Sequence, residues 1–212
     1  MKAIAYKYRD FFSDGAFTLS VIVALLFFTF SLFLNFYTGN YASESASNPV
    51  TDIILSNTKA YDLDFIFFYG TYAFWTFFTF LCLYSPGKIP FVLKSVALFI
   101  VIRSLFISMT HIAPFGSPVV IDPSSWMSEF TFGGDLFFSG HTGVPFLLAL
   151  IYWKNKYLRI IFIATSIIFA ITVLLAHLHY TIDVFSAFFI TYTIYHIAEN
   201  IFSTDRKLFY KS

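Results

Sequence analysis

The chain has 212 residues, of which 58% are hydrophobic and 12% charged, with a mean hydropathy of +0.74 and a formal net charge of +1. A soluble domain carries about 25% charged residues, so this composition belongs to the membrane class. The small net charge and the lack of a basic cluster exclude nucleic acid as a partner.

Residues 1–15 place Lys2, Lys7, Arg9, Asp10 and Asp14 among aromatics and read as an amphipathic segment at the membrane surface. The uncharged run Ala16–Tyr37 is long enough to cross a bilayer, which takes about 20 residues. Small residues at Ala42–Ser47 raise the alternative of a cleaved signal. The run exceeds the apolar core of such signals, about 7–15 residues, so an uncleaved first helix is expected. Residues 38–64 form a polar loop with one helical turn expected near Asp52–Asn57, and Phe65–Tyr84 is the second span. Ser85-Pro86-Gly87-Lys88-Ile89-Pro90 is a tight connection. Phe91–Met109 is the third span and contains Lys94, expected to snorkel at the cytoplasmic end, and Arg103. Residues 110–138 form a long loop with Pro114, Pro118, Pro123 and the pair Gly133-Gly134, of the kind that often carries function. Thr142–Trp153 is a short fourth run, brought to spanning length by counting Leu136–His141. Leu158–Leu178 and Ile182–Phe202 are the fifth and sixth, and residues 203–212 form a basic tail. The lone Cys82 lies inside an apolar run and has no internal disulfide partner.

The expected fold is therefore all-α: a polytopic bundle of six transmembrane helices over residues 16–202, in one domain. Lys2, Lys7, Arg9, Lys88, Lys154, Lys156, Arg159, Arg206, Lys207 and Lys211 fall on one side of such a bundle. The positive-inside rule makes that side, with both termini, cytoplasmic. The stretches 133–142 and 177–183 then meet at the outer side, facing an exoplasmic, periplasmic or lumenal space.

Those two stretches carry the ionisable groups that need explaining, since such groups are costly in lipid. His179 and Asp183 are four apart and share a helix face. A carboxylate accepting one imidazole N–H fixes the tautomer and presents the other nitrogen as base or nucleophile. A structural capping pair is the plain alternative. Ser139-Gly140-His141-Thr142 leads into an apolar run, where unpaired backbone N–H groups and the helix dipole can hold an anion. Gly140 permits close approach, and His141 can give a proton to a leaving oxygen. A simple N-cap by Ser139 is the alternative here. Together the two stretches suit phosphoryl transfer through a phosphohistidine.

Ser-Gly-His-Thr followed by His-x-x-x-Asp resembles the type 2 phosphatidate phosphatase superfamily, which includes the vanadium haloperoxidases. More narrowly, Gly-Asp-x-x-x-Ser-Gly-His-Thr at 134–142 and His-Tyr-Thr-Ile-Asp-Val at 179–184 resemble the sphingomyelin synthase family. Arg103, followed by Thr110 and Pro114, loosely resembles that family's upstream arginine motif. The resemblance implies a triad of His179 as nucleophile, Asp183 as its partner and His141 as acid and base. It implies that Ser139, Gly140, Thr142, Arg103, Asp135 and Tyr180 surround the substrate. It also implies a phospholipid donor and a lipid alcohol acceptor such as ceramide, with no metal or cofactor. The superfamily's Lys–Arg–Pro motif is incomplete, and its Ser–Arg pair is replaced by Thr172 and Val173. Two lost cations weaken the case for a dianionic monoester more than for a singly charged diester. A lipid phosphatase or phospholipase C-like hydrolase is the alternative enzyme, and a silent transporter or scaffold the alternative outside enzymology. Packing roles are expected for His177, His111 and His196. Asp122, Glu129, Phe115, Trp126, Phe130 and Phe132 could cage a quaternary ammonium, but an interfacial aromatic belt is the plainer reading.

Overall fold

A computed structural model describes residues 2–116 and 134–211, with side chains from Tyr6 onward. Among these residues every regular element is helical: α1 (Lys2–Phe12), α2 (Gly15–Glu44), α3 (Asp64–Tyr84), α4 (Ile89–Ser108), α5 (Gly140–Ile151), α6 (Lys156–Leu175), α7 (Thr181–Ile201) and α8 (Ser203–Phe209). Single 3-10 turns at Leu55–Asn57 and Pro86–Lys88 precede α3 and α4.

Five helices are long and apolar enough to cross a membrane: α2, α3, α4 with its 3-10 lead-in, α6 and α7. The fourth apolar run departs from expectation. Leu136–Phe138 is not helical, so α5 has 12 residues, a rise of roughly 18 Å against a hydrocarbon core of about 30 Å. Two features stop the helix from starting earlier. Phe138 has a positive φ of 33°, and Ser139 adopts ψ 120° with its hydroxyl accepting from the Thr142 N–H. Nine of the twelve α5 residues are buried, which lets irregular backbone precede the helix without meeting lipid.

α4 is the spine, with 56% of its most apolar window buried against 17% for α3. The other helices use narrower stripes. In α3 the buried residues are Phe67, Phe74, Phe78 and Cys82, spaced as one helix face, while Phe65, Tyr69, Phe80 and Tyr84 are exposed. Gly143 of α5 lets the helices close up. A Cβ there would stand 2.6 Å from the Phe99 ring and 2.9 Å from Thr191 Oγ1.

The turn between α6 and α7 is specified by hydrogen bonds. The His177 N–H donates to Leu174 O at 3.1 Å and the Leu178 N–H to Val173 O at 2.9 Å, the pairing of a Schellman motif. His177 takes the left-handed position with φ 56°, where glycine is usual. Its ring packs edge-on against Phe115, and Nε2 lies 3.3 Å from Thr58 Oγ1. His177 is thus a turn residue.

Lys94 corrects the snorkelling expectation. Its ammonium donates to Asp205 Oδ2 at 2.7 Å and Ser20 Oγ at 2.8 Å, and Ser20 donates to Asp205 Oδ1 at 2.6 Å. Lys94 and Asp205 are each 8% exposed. The segment expected as a basic tail is helical over Ser203–Phe209 and docks on α4 through this pair, with Phe209 against Phe91 and Tyr152.

Two outcomes follow for thermal unfolding of the purified protein. Lys94→Met leaves a buried carboxylate unpaired and should destabilise by about 3–5 kcal/mol, with Lys94→Met/Asp205→Leu recovering most of the loss. His177→Gly should be neutral or stabilising, because relief of the positive φ offsets the lost ring packing, whereas His177→Val should lower the melting temperature.

Candidate active site

The two motif stretches meet at the end of the bundle away from the basic residues. The contact is a backbone one: the Ser139 N–H donates to Asp183 O at 3.1 Å. The N-terminus of α5 therefore lies beside the first turn of α7.

Asp183 serves two groups. Its Oδ2 accepts the Tyr180 N–H at 2.9 Å, closing the start of α7, and lies 3.5 Å from His179 Nδ1. His179 Nδ1 also lies 2.9 Å from Leu136 O. Both neighbours of Nδ1 are acceptors, so the proton resides on Nδ1 and the lone pair on Nε2. His179 and Asp183 are 7% and 1% exposed, which holds this arrangement apart from bulk water. The Leu136 carbonyl was not legible in the sequence, because main-chain acceptors leave no side-chain signature.

His141 is the second residue of α5. Its ring lies against Phe67, with centroids 4.4 Å apart, and against Phe169 at 5.8 Å. It is within electrostatic reach of both His179 and Arg103. Ser139 Oγ accepts from Thr142 N and Ser139 O from Gly143 N. The N–H groups of Gly140 and His141 have no acceptor among the described residues, the condition for an anion cradle. Pro145 in α5 has no N–H to offer the His141 carbonyl one turn earlier. The Thr142 hydroxyl is buried without a partner, and Thr142 O accepts from Ser166 Oγ at 2.7 Å.

Arg103 is 7% exposed and its guanidinium organises the loop ahead of α5. Nε donates to Phe138 O at 3.1 Å, Nη2 to Asp135 O at 2.6 Å and Asp135 Oδ2 at 3.0 Å, and Nη1 to Asn35 Oδ1 at 3.3 Å. Gly140 lies against it, and a Cβ there would meet Arg103 Nε at 3.4 Å, about an ordinary contact. Asp135 is thus the counterion of Arg103. Asn35 was missed by sequence reasoning, although a lone amide inside an apolar span is a signal in itself. Loop and α2 are fastened by Gly134, whose N–H donates to Ser43 Oγ at 3.1 Å. A Cβ on Gly134 would stand 2.5 Å from Ala42 O.

Tyr180 is 2% exposed, and its hydroxyl donates to Ala113 O at 2.8 Å and accepts from Val50 N at 3.2 Å. It ties the segments that carry Val50 and Ala113 to α7. Asp52 does the same: Oδ2 accepts the Thr181 N–H at 2.7 Å and Oδ1 the Thr181 hydroxyl at 2.6 Å. Oδ1 also accepts from Ile54 N and Leu55 N. Partial burial alone would raise the Asp52 carboxyl, but these donors outweigh it and hold it below its ordinary range. A lowered carboxylate stabilises above the unfolded-state value and loses that contribution as pH falls through the lowered one. The strap over residues 45–63 therefore loosens only in acid. Sequence reasoning had residues 38–64 as a polar loop and gave Asp52 no role.

His111 and His196 lie outside the site. The His111 ring meets Tyr41 edge-on, and its carbonyl accepts from Ser47 N and Oγ. His196 Nδ1 is 3.0 Å from Glu199 Oε2. Of the aromatic and acidic residues considered for an ammonium cage, Phe115 packs against His177 and Tyr180. Asp122, Trp126, Glu129, Phe130 and Phe132 lie outside the described residues.

No curated protein and no solved structure matches the chain. Residues 133–200 match the family described as PAP2 superfamily C-terminal. That span contains both motif stretches and helices α5 and α6 with nearly all of α7. The match supports the PAP2 superfamily and an enzyme of the phosphatase or phosphotransferase kind in a multi-helix membrane protein.

Proposed function

We propose that the protein is an integral-membrane phosphotransferase that moves a phospholipid head group, phosphocholine or phosphoethanolamine, to a lipid alcohol such as ceramide. The observation that carries this reading is the state of His179. Nδ1 is held between Leu136 O and Asp183, leaving Nε2 as the electron-pair donor, and the N–H groups of Gly140 and His141, just after the Ser139 bond to Asp183, have no acceptor among the described residues.

In the proposed cycle, His179 Nε2 attacks the phosphorus of the donor lipid. The bond from phosphorus to the diacylglycerol oxygen breaks, and that oxygen takes a proton from His141. The incoming lipid hydroxyl then returns a proton to His141 and attacks phosphorus, and the P–N bond to His179 breaks. Asp183 stabilises the imidazolium that His179 becomes while bonded to phosphorus. The N–H groups at the start of α5 face the negative oxygens, where preorganised donors contribute most.

The preference for a diester rests on charge. Arg103 already has four acceptors, one of them the Asp135 carboxylate, so the pair adds little net charge to the site. Thr172 and Val173 stand where the superfamily resemblance leads one to expect a Ser–Arg pair. A site with a neutralised cation suits a singly charged phosphodiester better than a dianionic monoester. Hydrolysis at the same centre, with water as acceptor, is the second reading, and the family match favours it equally.

His179→Ala should lower turnover by about 10³-fold or more with the melting temperature preserved, while a scaffold or transporter would keep its cellular role. Asp183→Asn should lower turnover by about 10²–10⁴-fold with donor binding little changed. Products of isotope-labelled donors, resolved by mass spectrometry, test specificity. Phosphatidylcholine or phosphatidylethanolamine should turn over faster than phosphatidate, and added ceramide should divert label from free phosphorylated head group into phosphosphingolipid. Faster phosphatidate turnover sinks the diester argument, and indifference to ceramide sinks transfer.

A further inference from the structure

The end of the bundle remote from the histidines holds a pocket of about 230 Å³ lined by Lys7, Phe11, Ser85, Pro86, Gly87 and Lys211. It brings together three separate parts of the chain: α1, the link from α3 to α4, and the segment after α8. Two of its six lining residues are lysines and none is acidic. Lys88 stands beside it, close enough to Lys7 for their charges to repel. Among the described residues, no carboxylate forms an ion pair with Lys7, Lys88 or Lys211. Lys94 and Arg206 are met by acids, Asp205 and Glu199. Lys7 and Lys88 instead lie over aromatic rings, Lys7 over Tyr84 and Lys88 over Tyr152 and Phe209, which leaves their positive charge un-neutralised and open to an anion.

The remaining donors suit an anion with several oxygens. The Ser85 hydroxyl and the Gly87 N–H have no acceptor among the described residues. They lie where the 3-10 lead-in and α4 begin, and a helix start favours negative charge. Phe11 and Pro86 supply an apolar wall. The amphipathic α1, with Tyr8 stacked on Phe12, sets the pocket at the depth of an interfacial helix, where basic pockets between membrane helices meet phosphate head groups.

We propose that this pocket is a binding site for the phosphate group of an anionic molecule, either the head group of an anionic phospholipid or a soluble phosphate, with Lys7 and Lys211 as its charged arms. The site is distinct from the histidine centre, at the opposite end of α4. Bound phosphate ties α1 and the segment after α8 to the α3–α4 link.

The test uses the full-length protein in phosphatidylcholine nanodiscs. Phosphatidylglycerol is titrated in one arm and inorganic phosphate in the other, and binding is followed by native mass spectrometry and by the shift in melting temperature. Lys7→Gln/Lys211→Gln should bind the responding anion about thirtyfold more weakly than wild type, at roughly one ammonium contact per lysine. Lys7→Arg/Lys211→Arg should stay within a few-fold. A response to phosphatidylglycerol alone assigns the lipid head group, and a lysine-dependent response to inorganic phosphate assigns the soluble anion. The proposal is overturned if neither probe binds wild type more tightly than the glutamine variant. Should that variant fail to fold, wild-type affinity that does not fall with rising salt overturns it equally.

Discussion

A guanidinium placed inside an apolar bundle must find acceptors, and meeting that demand shapes the candidate site. Arg103 pairs four of its five N–H groups, drawing in two main-chain carbonyls, a carboxylate and an amide. The planar fork suits such a task, whereas an ammonium would not hold four directed acceptors in one plane. By holding Phe138 O and Asp135 O, Arg103 fastens residues 135–138 in the non-helical path that precedes α5. The chain turns through the positive φ of Phe138, whose fully buried ring sits among Phe99, Phe106 and Phe137. Helix α5 thus begins late, at the one place where its free N–H groups lie beside α7.

The spine helix carries a buried cation toward each end, and the two serve different purposes. Lys94 closes a compact triad with Ser20 and Asp205 that fastens α8 to the bundle. Arg103 makes two of its four bonds to main-chain atoms and so fixes the path of a loop. Removing one partner of either pair leaves the other charge stranded in a low-dielectric interior. The consequence differs: a detached terminal helix in the first case, a displaced α5 start in the second.

Much of this was legible in the residues. Apolar runs separated by Pro, Gly and charged turns located every long helix, and the grouping of basic residues located the two ends. The motifs at 134–142 and 179–184 drew attention to the side chains that the fold brings together. Three things were not legible. The length of α5 failed because Leu136–Phe138 is as apolar as a helix, and the force that unwinds it is a buried arginine distant in sequence. The burial of Lys94 failed because snorkelling is the default for a lysine near a helix end, and its partner Asp205 lies beyond the last span. The strap over residues 45–63 failed because Asp52 and Tyr180 act through contacts to backbone atoms of remote segments, which composition does not record.

Depth and lining bear on the competition between an alcohol and water at the proposed phosphohistidine. His141 is packed between Phe67 and Phe169 rather than against polar side chains. The α2 helix continues nine residues past Asn35, the level of Arg103, and so rises roughly 13 Å further. Above the histidines, the strap is fixed by Asp52 and by the Tyr61 N–H on Leu175 O. At the proposed phosphohistidine, the Phe67 and Phe169 rings beside His141 would solvate the hydrocarbon of a lipid hydroxyl better than they would solvate water. Helix α3, which supplies Phe67 from its buried stripe, is as a whole the least buried of the spans. Its remaining faces are therefore open to a lipid acceptor approaching the proposed site, whereas α4 is densely packed and its buried charges are already paired.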